Sequence, residues 1–412
     1  MRALAAITVV LSHWSPLPLV PSAWSFYTPL RGLTQLSGAN LGVVFFFTLS
    51  PFLLTYLAVR EFEAKRAFHI QAFYLRRCFR IWPLYFTVLA FDLATAASNT
   101  PGWGTPDWPW IRDHAWLWVT FLSNWSIALS GYGGVMDPST APFRVLWSIA
   151  VEEQFYLVYP VVVSLALRSR RAFILAAILA WLTAILSRTY FLSVPVAPAG
   201  GMYYATTSYL DVFLIGCLAG TAAARKMDSR QFWVRALRLK GTGIILFILT
   251  FVLGMKWQNE LYYPYTSFSV WIYGLTGALF ALEILWVLTH KDSLISEFLR
   301  SRSMVFLGAL SFGMYLWHPL VLPIAERLVE GMPSRTQFEI DARTSSQLAV
   351  YILIVVVVAW ISHLSIEKPF LLLKLRYARR SAALKGSPDA PPSDLSQPLP
   401  RASQRDIQQT SP

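Results

Sequence analysis

The sequence predicts an all-α, polytopic transmembrane helical bundle of about ten spans, with both termini in the cytoplasm. Three observations carry that expectation. The 412 residues are 55% hydrophobic and only 14% charged, with a mean hydropathy of +0.48, whereas a soluble domain has roughly 25% charged residues. Apolar runs of about 20 residues recur along most of the chain, the length a helix rising about 1.5 Å per residue needs to cross a hydrocarbon core of about 30 Å. Lys and Arg are gathered into short clusters that alternate with stretches poor in both, as the positive-inside rule requires of a chain that crosses repeatedly.

The first apolar run, Ala3 to Val10, continues into Ser12, His13 and Trp14 without a small-residue cleavage site, so it reads as a span and not as a cleaved signal peptide. The expected spans are 3–20, 41–59, 79–97, 147–167, 172–192, 207–224, 243–257, 268–289, 304–325 and 347–374. Basic clusters at Arg60 to Arg80, Arg168 to Arg171, Arg225 to Lys240, Lys291 to Arg302 and Arg376 to Arg380 then all fall on one side. Trp116 to Ser130 is apolar enough to suggest another crossing, but that would turn every later basic cluster outward. It is therefore assigned to an outer loop over 97–146 that lies on or dips into the membrane. The partly amphipathic stretch Arg60 to Arg80 is expected to rest on the cytoplasmic surface. Residues 1–376 form the transmembrane domain. Residues 377–412, rich in Pro, Ser and Gln, are expected to be a disordered cytoplasmic tail.

The net charge of +13 is accounted for by the loop clusters, so no nucleic-acid partner is expected. Cys78 and Cys217 have neither disulfide-framework nor metal-type spacing, and no metal is expected. There is no Gly-rich phosphate loop, His-Glu-x-x-His helix or Gly-x-Ser-x-Gly elbow, which removes support from ATP-driven and common hydrolase chemistries.

The informative residues are polar ones at membrane depth, where a charge at a helix centre costs about 2.5–3.5 kcal/mol even on the lenient insertion scale. His13 lies deep in the first span; it is either a general base beside a cavity or a histidine bonded between helices. Arg2 stands eleven residues earlier, about 16 Å along a helix axis. A cation at the mouth and a base deeper in suit a long acyl donor with a phosphorylated end. Arg77 and Arg80 share a helix face and can grip phosphate with their planar forks, or they are positive-inside anchors. Glu152 and Glu153 enter the fourth span side by side and point about 100° apart, so one at most faces the His13 cavity. His318, beside Pro319 in the ninth span, is a second cavity residue or a partner for carbonyls freed by the proline. Asp92 and Asp211 lie near span ends, where a carboxylate reaches water, and Glu367 with Lys368 reads as an ion pair at a helix kink.

At these residues the chain resembles acyltransferase family 3 over nearly its whole length to about Phe370. The matching pieces, in order, are Arg2 to Ala6 with His13, Gly42 to Ser50, the Arg77-x-x-Arg80 pair, Trp147 to Tyr156, Ser311 to Pro319, and Glu367-Lys368-Pro369. Pro51 stands where that family usually has a glycine. The resemblance implies a multi-pass O-acyltransferase of the cell inner (cytoplasmic) membrane. Such an enzyme moves an acyl group, often acetyl, from acetyl-CoA or another acyl-CoA to a hydroxyl of a glycan, lipid-linked sugar or small natural product. It further implies His13 as catalytic base and Glu153 as a second active-site carboxylate, with Arg2, Arg77 and Arg80 binding the donor. Trp147, Glu152 and His318 would line the site. No permanently bound cofactor is implied, acyl-CoA being a co-substrate; direct transfer and a covalent acyl intermediate both remain open, as does a homo-oligomer. The rival reading is a transporter or flippase of glycans or lipids, which would show paired halves with Gly or Pro breaks at corresponding positions; none stand out.

Overall fold

The computed structural model describes residues 1–14, 39–98, 108–130, 142–194, 200–225, 239–262, 267–329, 332 and 337–373. The expected tail 377–412, the end of the first expected span and most of the cluster Arg225 to Lys240 lie outside the described residues. Every described element is helical. The long helices are α1 (Arg2–His13), α2 (Ala39–Lys65), α3 (Ile70–Ala96), α4 (Leu146–Arg168), α5 (Arg170–Ser193), α6 (Leu210–Ala224), α7 (Lys240–Tyr262), α8 (Ser269–Thr289), α9 (Arg302–Leu328) and α10 (Gln337–Ser362). Each coincides with one expected span. Among the described residues, seven helical segments are long and apolar enough to cross a membrane: α2, α4, α5, α6 with the turn before it, α8, α9, and α10 with its continuation to Leu373. Of the other three, α1 has 12 residues, α7 has a shorter apolar stretch over Gly241–Gly254, and α3 carries Arg76, Arg77, Arg80 and Asp92.

Helix α2 is the centre of the bundle, in contact with α1, α4, α6 and α8. Its closest neighbour is α6, where Gly216 and Gly220, one turn apart, lie against its backbone. A methyl group at Gly216 would sit 2.4 Å from the Thr48 carbonyl oxygen, and one at Gly220 2.3 Å from that of Phe52. Without a hydrophobic force between helices in lipid, such small-residue seams are what allow close van der Waals packing. Phe47 fills the space above the seam, edge-on to Tyr209 at 4.7 Å and to Phe213 at 5.3 Å. On its other side, α2 meets α1, which is held in turn by α9, and α9 packs on α10.

The aromatic stretch after α3 forms no helix long enough to cross among the described residues. It breaks into helices Trp108–His114, Trp116–Val119 and Ser123–Ser130, the longest spanning about 12 Å against the roughly 30 Å required. Its bend is fixed by Gln154 of α4, whose side-chain amide donates to the Phe121 carbonyl at 2.6 Å and to Asn124 Oδ1 at 2.8 Å. Gln154 Oε1 also accepts from Trp125 Nε1 at 2.9 Å and from the Thr206 hydroxyl at 2.6 Å. Phe121 has φ 59°, a left-handed conformation that costs a bulky residue about 1–3 kcal/mol and persists only where surroundings over-determine it.

The stretch Arg60 to Arg80, expected on the cytoplasmic surface, folds as a helical hairpin. Helix α2 runs on to Lys65 and α3 starts at Ile70, with Arg66 at φ 52° making the turn. Glu61 closes the hairpin, 3.0 Å from His69 and 3.6 Å from Arg76.

Candidate active site

A cavity of about 180 Å³ lies between α1, α2, α3, α4 and α9. Its polar lining is Arg2 from the start of α1, Arg77 and Arg80 from α3, Glu152 and Tyr156 from α4, and hydroxyls from Ser50, Ser148, Ser311 and Tyr315. The rest is apolar, chiefly Phe46, Phe47, Leu53, Ile149 and Phe312. Helical periodicity explains the pattern: Arg77 and Arg80, three apart, and Ser148 with Glu152 and Glu152 with Tyr156, each four apart, present one stripe per helix. Three guanidiniums face one carboxylate, a formal excess of two positive charges toward the open space.

The cationic wall is braced. Arg77 lies over the Phe73 ring at 5.9 Å and the Tyr156 ring at 5.6 Å, contacts that hold a planar guanidinium without using its donors. Tyr156 donates to Glu152 at 2.8 Å while its oxygen lies 2.5 Å from the Ser50 hydroxyl. Glu152 is thus aimed into the cavity. Its neighbour Glu153 is turned away, accepting from Trp82 Nε1 at 2.9 Å, and is not part of the lining.

At the other end of the cavity, the Tyr315 hydroxyl lies 2.5 Å from that of Ser148. Beyond this pair are two histidines, His13 and His318, with ring centroids 4.9 Å apart; Tyr315 touches both the cavity residue Phe46 and His318, at 6.2 and 5.9 Å between ring centres. His13 Nδ1 is 2.9 Å from the Val9 carbonyl and His318 Nδ1 is 2.7 Å from that of Tyr315. A carbonyl only accepts, so Nδ1 of each ring is the donor; a neutral ring so bonded has its lone pair on Nε2, the form a general base needs. His318 is fully buried, and its Nε2 has no hydrogen-bond partner among the described residues.

Of the residues singled out in the sequence, Arg2, Arg77, Arg80 and Glu152 therefore meet around one cavity, and His13 and His318 meet behind its Ser148–Tyr315 wall. Glu153 and Trp147 are elsewhere. Trp147 packs on Tyr203 and Tyr204 at 4.7 and 4.9 Å, in the core under the outer turns.

Three sequence expectations outside the cavity are corrected. Asp92 does not reach water: it lies on the α3 face of Leu84, Tyr85, Val88 and Leu89, is fully buried, and neither oxygen has a hydrogen-bond partner among the described residues. Asp211 is also buried, 2.5 Å from Nη2 of Arg188 in α5. Arg188 was not singled out in the sequence, although it is the one charged residue in the apolar run from Ala172 to Leu186 and beyond to Phe191. Glu367 is paired not with Lys368 but with His363, at 3.6 Å, because residues one apart on a helix diverge by about 100° whereas those four apart share a face. Ser148, Tyr156 and Tyr315 were also missed as site residues, since a hydroxyl in a span is common and only tertiary contact distinguishes these. Among the described residues, no group of three or more His, Cys, Asp or Glu has metal-holding geometry.

The family model described as "Acyltransferase domain" (Acyl_transf_3) matches residues 1–364. O-acetyltransferase OatA of Staphylococcus aureus strain NCTC 8325 is 25% identical over 347 residues, covering 80% of this chain and 51% of the relative. A putative O-acetyltransferase of strain COL is 24% identical over 384 residues, covering 90% of this chain and 56% of the relative. The chain thus spans about half the length of the curated relatives it matches. No solved structure matches.

Proposed function

Because the chain belongs to acyltransferase family 3, we propose that it moves an acyl group, acetyl in the first instance, from a coenzyme A thioester to an acceptor hydroxyl within the membrane. The carrying observation is the cavity whose wall holds Arg2, Arg77 and Arg80 against the single carboxylate Glu152, with the His13–His318 pair behind it. The excess positive charge suits the phosphates of coenzyme A, and planar guanidiniums suit them geometrically. The apolar lining suits the acyl end. The names of the similar proteins, O-acetyltransferases, support acetyl as the group and oxygen as the acceptor atom.

In this reading all ten long helices are spans, both termini are cytoplasmic, and the membrane is the cell inner membrane. The donor enters from the side of Arg2, Arg77 and Arg80. The acceptor, a glycan, lipid-linked sugar or small natural product, approaches from the outer side, where α1 ends at His13. His13 Nε2 takes the proton of the acceptor hydroxyl as its oxygen attacks the thioester carbonyl; the C–S bond breaks and coenzyme A leaves as thiolate. His318 flanks His13 as lining, and Glu152 holds the arginine array. Glu153 supports α3 through Trp82. Such base catalysis typically contributes about 10²–10⁴-fold in rate.

The test uses wild type and His13→Ala purified in detergent, with radiolabelled acetyl-CoA and a membrane glycan extract, reading label transferred. Transfer by wild type that disappears in an intact His13→Ala protein supports the assignment. Equal transfer by both sinks the role of His13.

A further inference from the structure

After α10 the chain does not continue as a regular α-helix. Residues His363–Glu367 form a single π turn before the helix resumes at Lys368. Such turns are rare and frequently sit at functional sites. Pro369 accounts for this one, since it has no N–H to give and its ring crowds the carbonyl of Ser365, four residues back. The consequence is a change of face. Leu364, Ser365, Lys368, Pro369 and Phe370 are exposed toward the bundle's exterior, whereas Glu367 is only 8% exposed.

The buried carboxylate has a direction. Its Oε2 lies 3.6 Å from His363 Nδ1, and Oε1 has no hydrogen-bond partner among the described residues. The π turn packs on α3, the helix of Arg77 and Arg80, with Ile366 seated in the cluster that contains Ile81. Glu367 is within electrostatic range of Arg80 and Arg2, yet it is not part of the cavity lining. It therefore adds negative charge near the guanidiniums from outside the lining, on a turn packed against the helix of Arg80. Three cations facing one lining carboxylate repel one another and splay; a carboxylate outside the lining holds the array while leaving its anion-accepting side clear.

We propose that Glu367 is a positioning residue for the guanidiniums of Arg2 and Arg80, held outside the lining by the π turn that packs on the helix of Arg80; this rests on the cavity being the coenzyme A site. The test is equilibrium binding of coenzyme A to the full-length protein in detergent, with S-acetylpantetheine, which lacks the phosphates, as competitor. For Glu367→Gln, the Kd for coenzyme A is expected to rise about tenfold, as for loss of one charge-assisted contact, while S-acetylpantetheine binding stays unchanged. Glu367→Asp, which keeps the charge and the fold, is expected to recover most of the affinity and serves if the glutamine variant does not fold. Unchanged binding, or tighter binding as a mere excess of positive charge would give, overturns the positioning role, as does equal weakening for both ligands. A wild type that binds no coenzyme A overturns the donor reading and this role with it.

Discussion

Two regions bring arginine and carboxylate together among the helices, buried at Arg188 and Asp211 and only half-buried at Arg2, Arg77, Arg80 and Glu152, and they differ in what surrounds the charge. Around Arg188 the charge is matched one for one: Asp211 is 2.5 Å from Nη2, the Tyr273 ring is 5.3 Å from the guanidinium carbon, and the Ala184 carbonyl accepts from Nε at 3.2 Å, while Nη1 alone has no hydrogen-bond partner among the described residues. Packing is so close that a methyl group at Gly274 would lie 2.6 Å from Asp211 Oδ2. Around Arg2, Arg77 and Arg80 the lining carries three cations, one carboxylate and open space. The cost of charge in lipid therefore does not by itself mark a working site. A closed, neutral pair is the signature of structure, and a surplus of one sign beside a cavity is the signature of a ligand.

The largest effect that sharpens this contrast is expected at His13. Replacement by alanine is expected to lower acyl transfer by about 10²–10⁴-fold with the melting temperature unchanged, measured by label transfer and intrinsic fluorescence. At the closed pair the effect reverses in kind. Arg188→Ala or Asp211→Ala alone is expected to cost about 3–5 kcal/mol of stability by leaving a buried charge uncompensated, whereas Arg188→Met with Asp211→Leu costs far less. Melting and detergent-extracted yield of the three variants read this directly; equal losses would break the comparison.

Next come the cavity arginines. Arg77→Ala or Arg80→Ala is expected to weaken donor binding by about 1.5–3 kcal/mol each, as for a hydrogen bond to a charged group, with little loss of melting temperature. The smallest effect is at Gly274→Ala, where overpacking against Asp211 is expected to cost about 1–3 kcal/mol of stability while donor affinity stays unchanged. A changed affinity there would show that the two regions are not independent.

Much of this was legible in the sequence because it depends on one helix at a time. Ten apolar runs fall on ten helices, and the same-face spacing of Arg77 with Arg80 needs no knowledge of neighbours. For the stretch Trp116 to Ser130, charge alternation alone argues against a crossing helix, and its division into short helices agrees. What was not legible depends on how helices are rotated against one another. Adjacent Glu152 and Glu153 are equivalent in sequence, and packing of α4 against α2 and α3 decides that Glu152 meets the arginines. Arg188 finds Asp211 across two spans; the signal available was its isolation in an apolar run. Gln154 reads as a third polar residue of the Glu152-Glu153-Gln154 run until its four bonds to the bent aromatic segment and to Thr206 show it to be a strut. Glu367 pairs with His363, four residues back, and the adjacent Lys368 drew attention from it in the sequence.

The most direct measurement of the central claim is saturable binding of radiolabelled acetyl-CoA to the purified protein, compared among wild type, Arg77→Ala with Arg80→Ala, and Arg188→Met with Asp211→Leu. The account predicts saturable binding by wild type that is lost when the cavity arginines are removed and retained when the closed pair is replaced. Binding that survives loss of Arg77 and Arg80, or that is absent from the wild type, would contradict it.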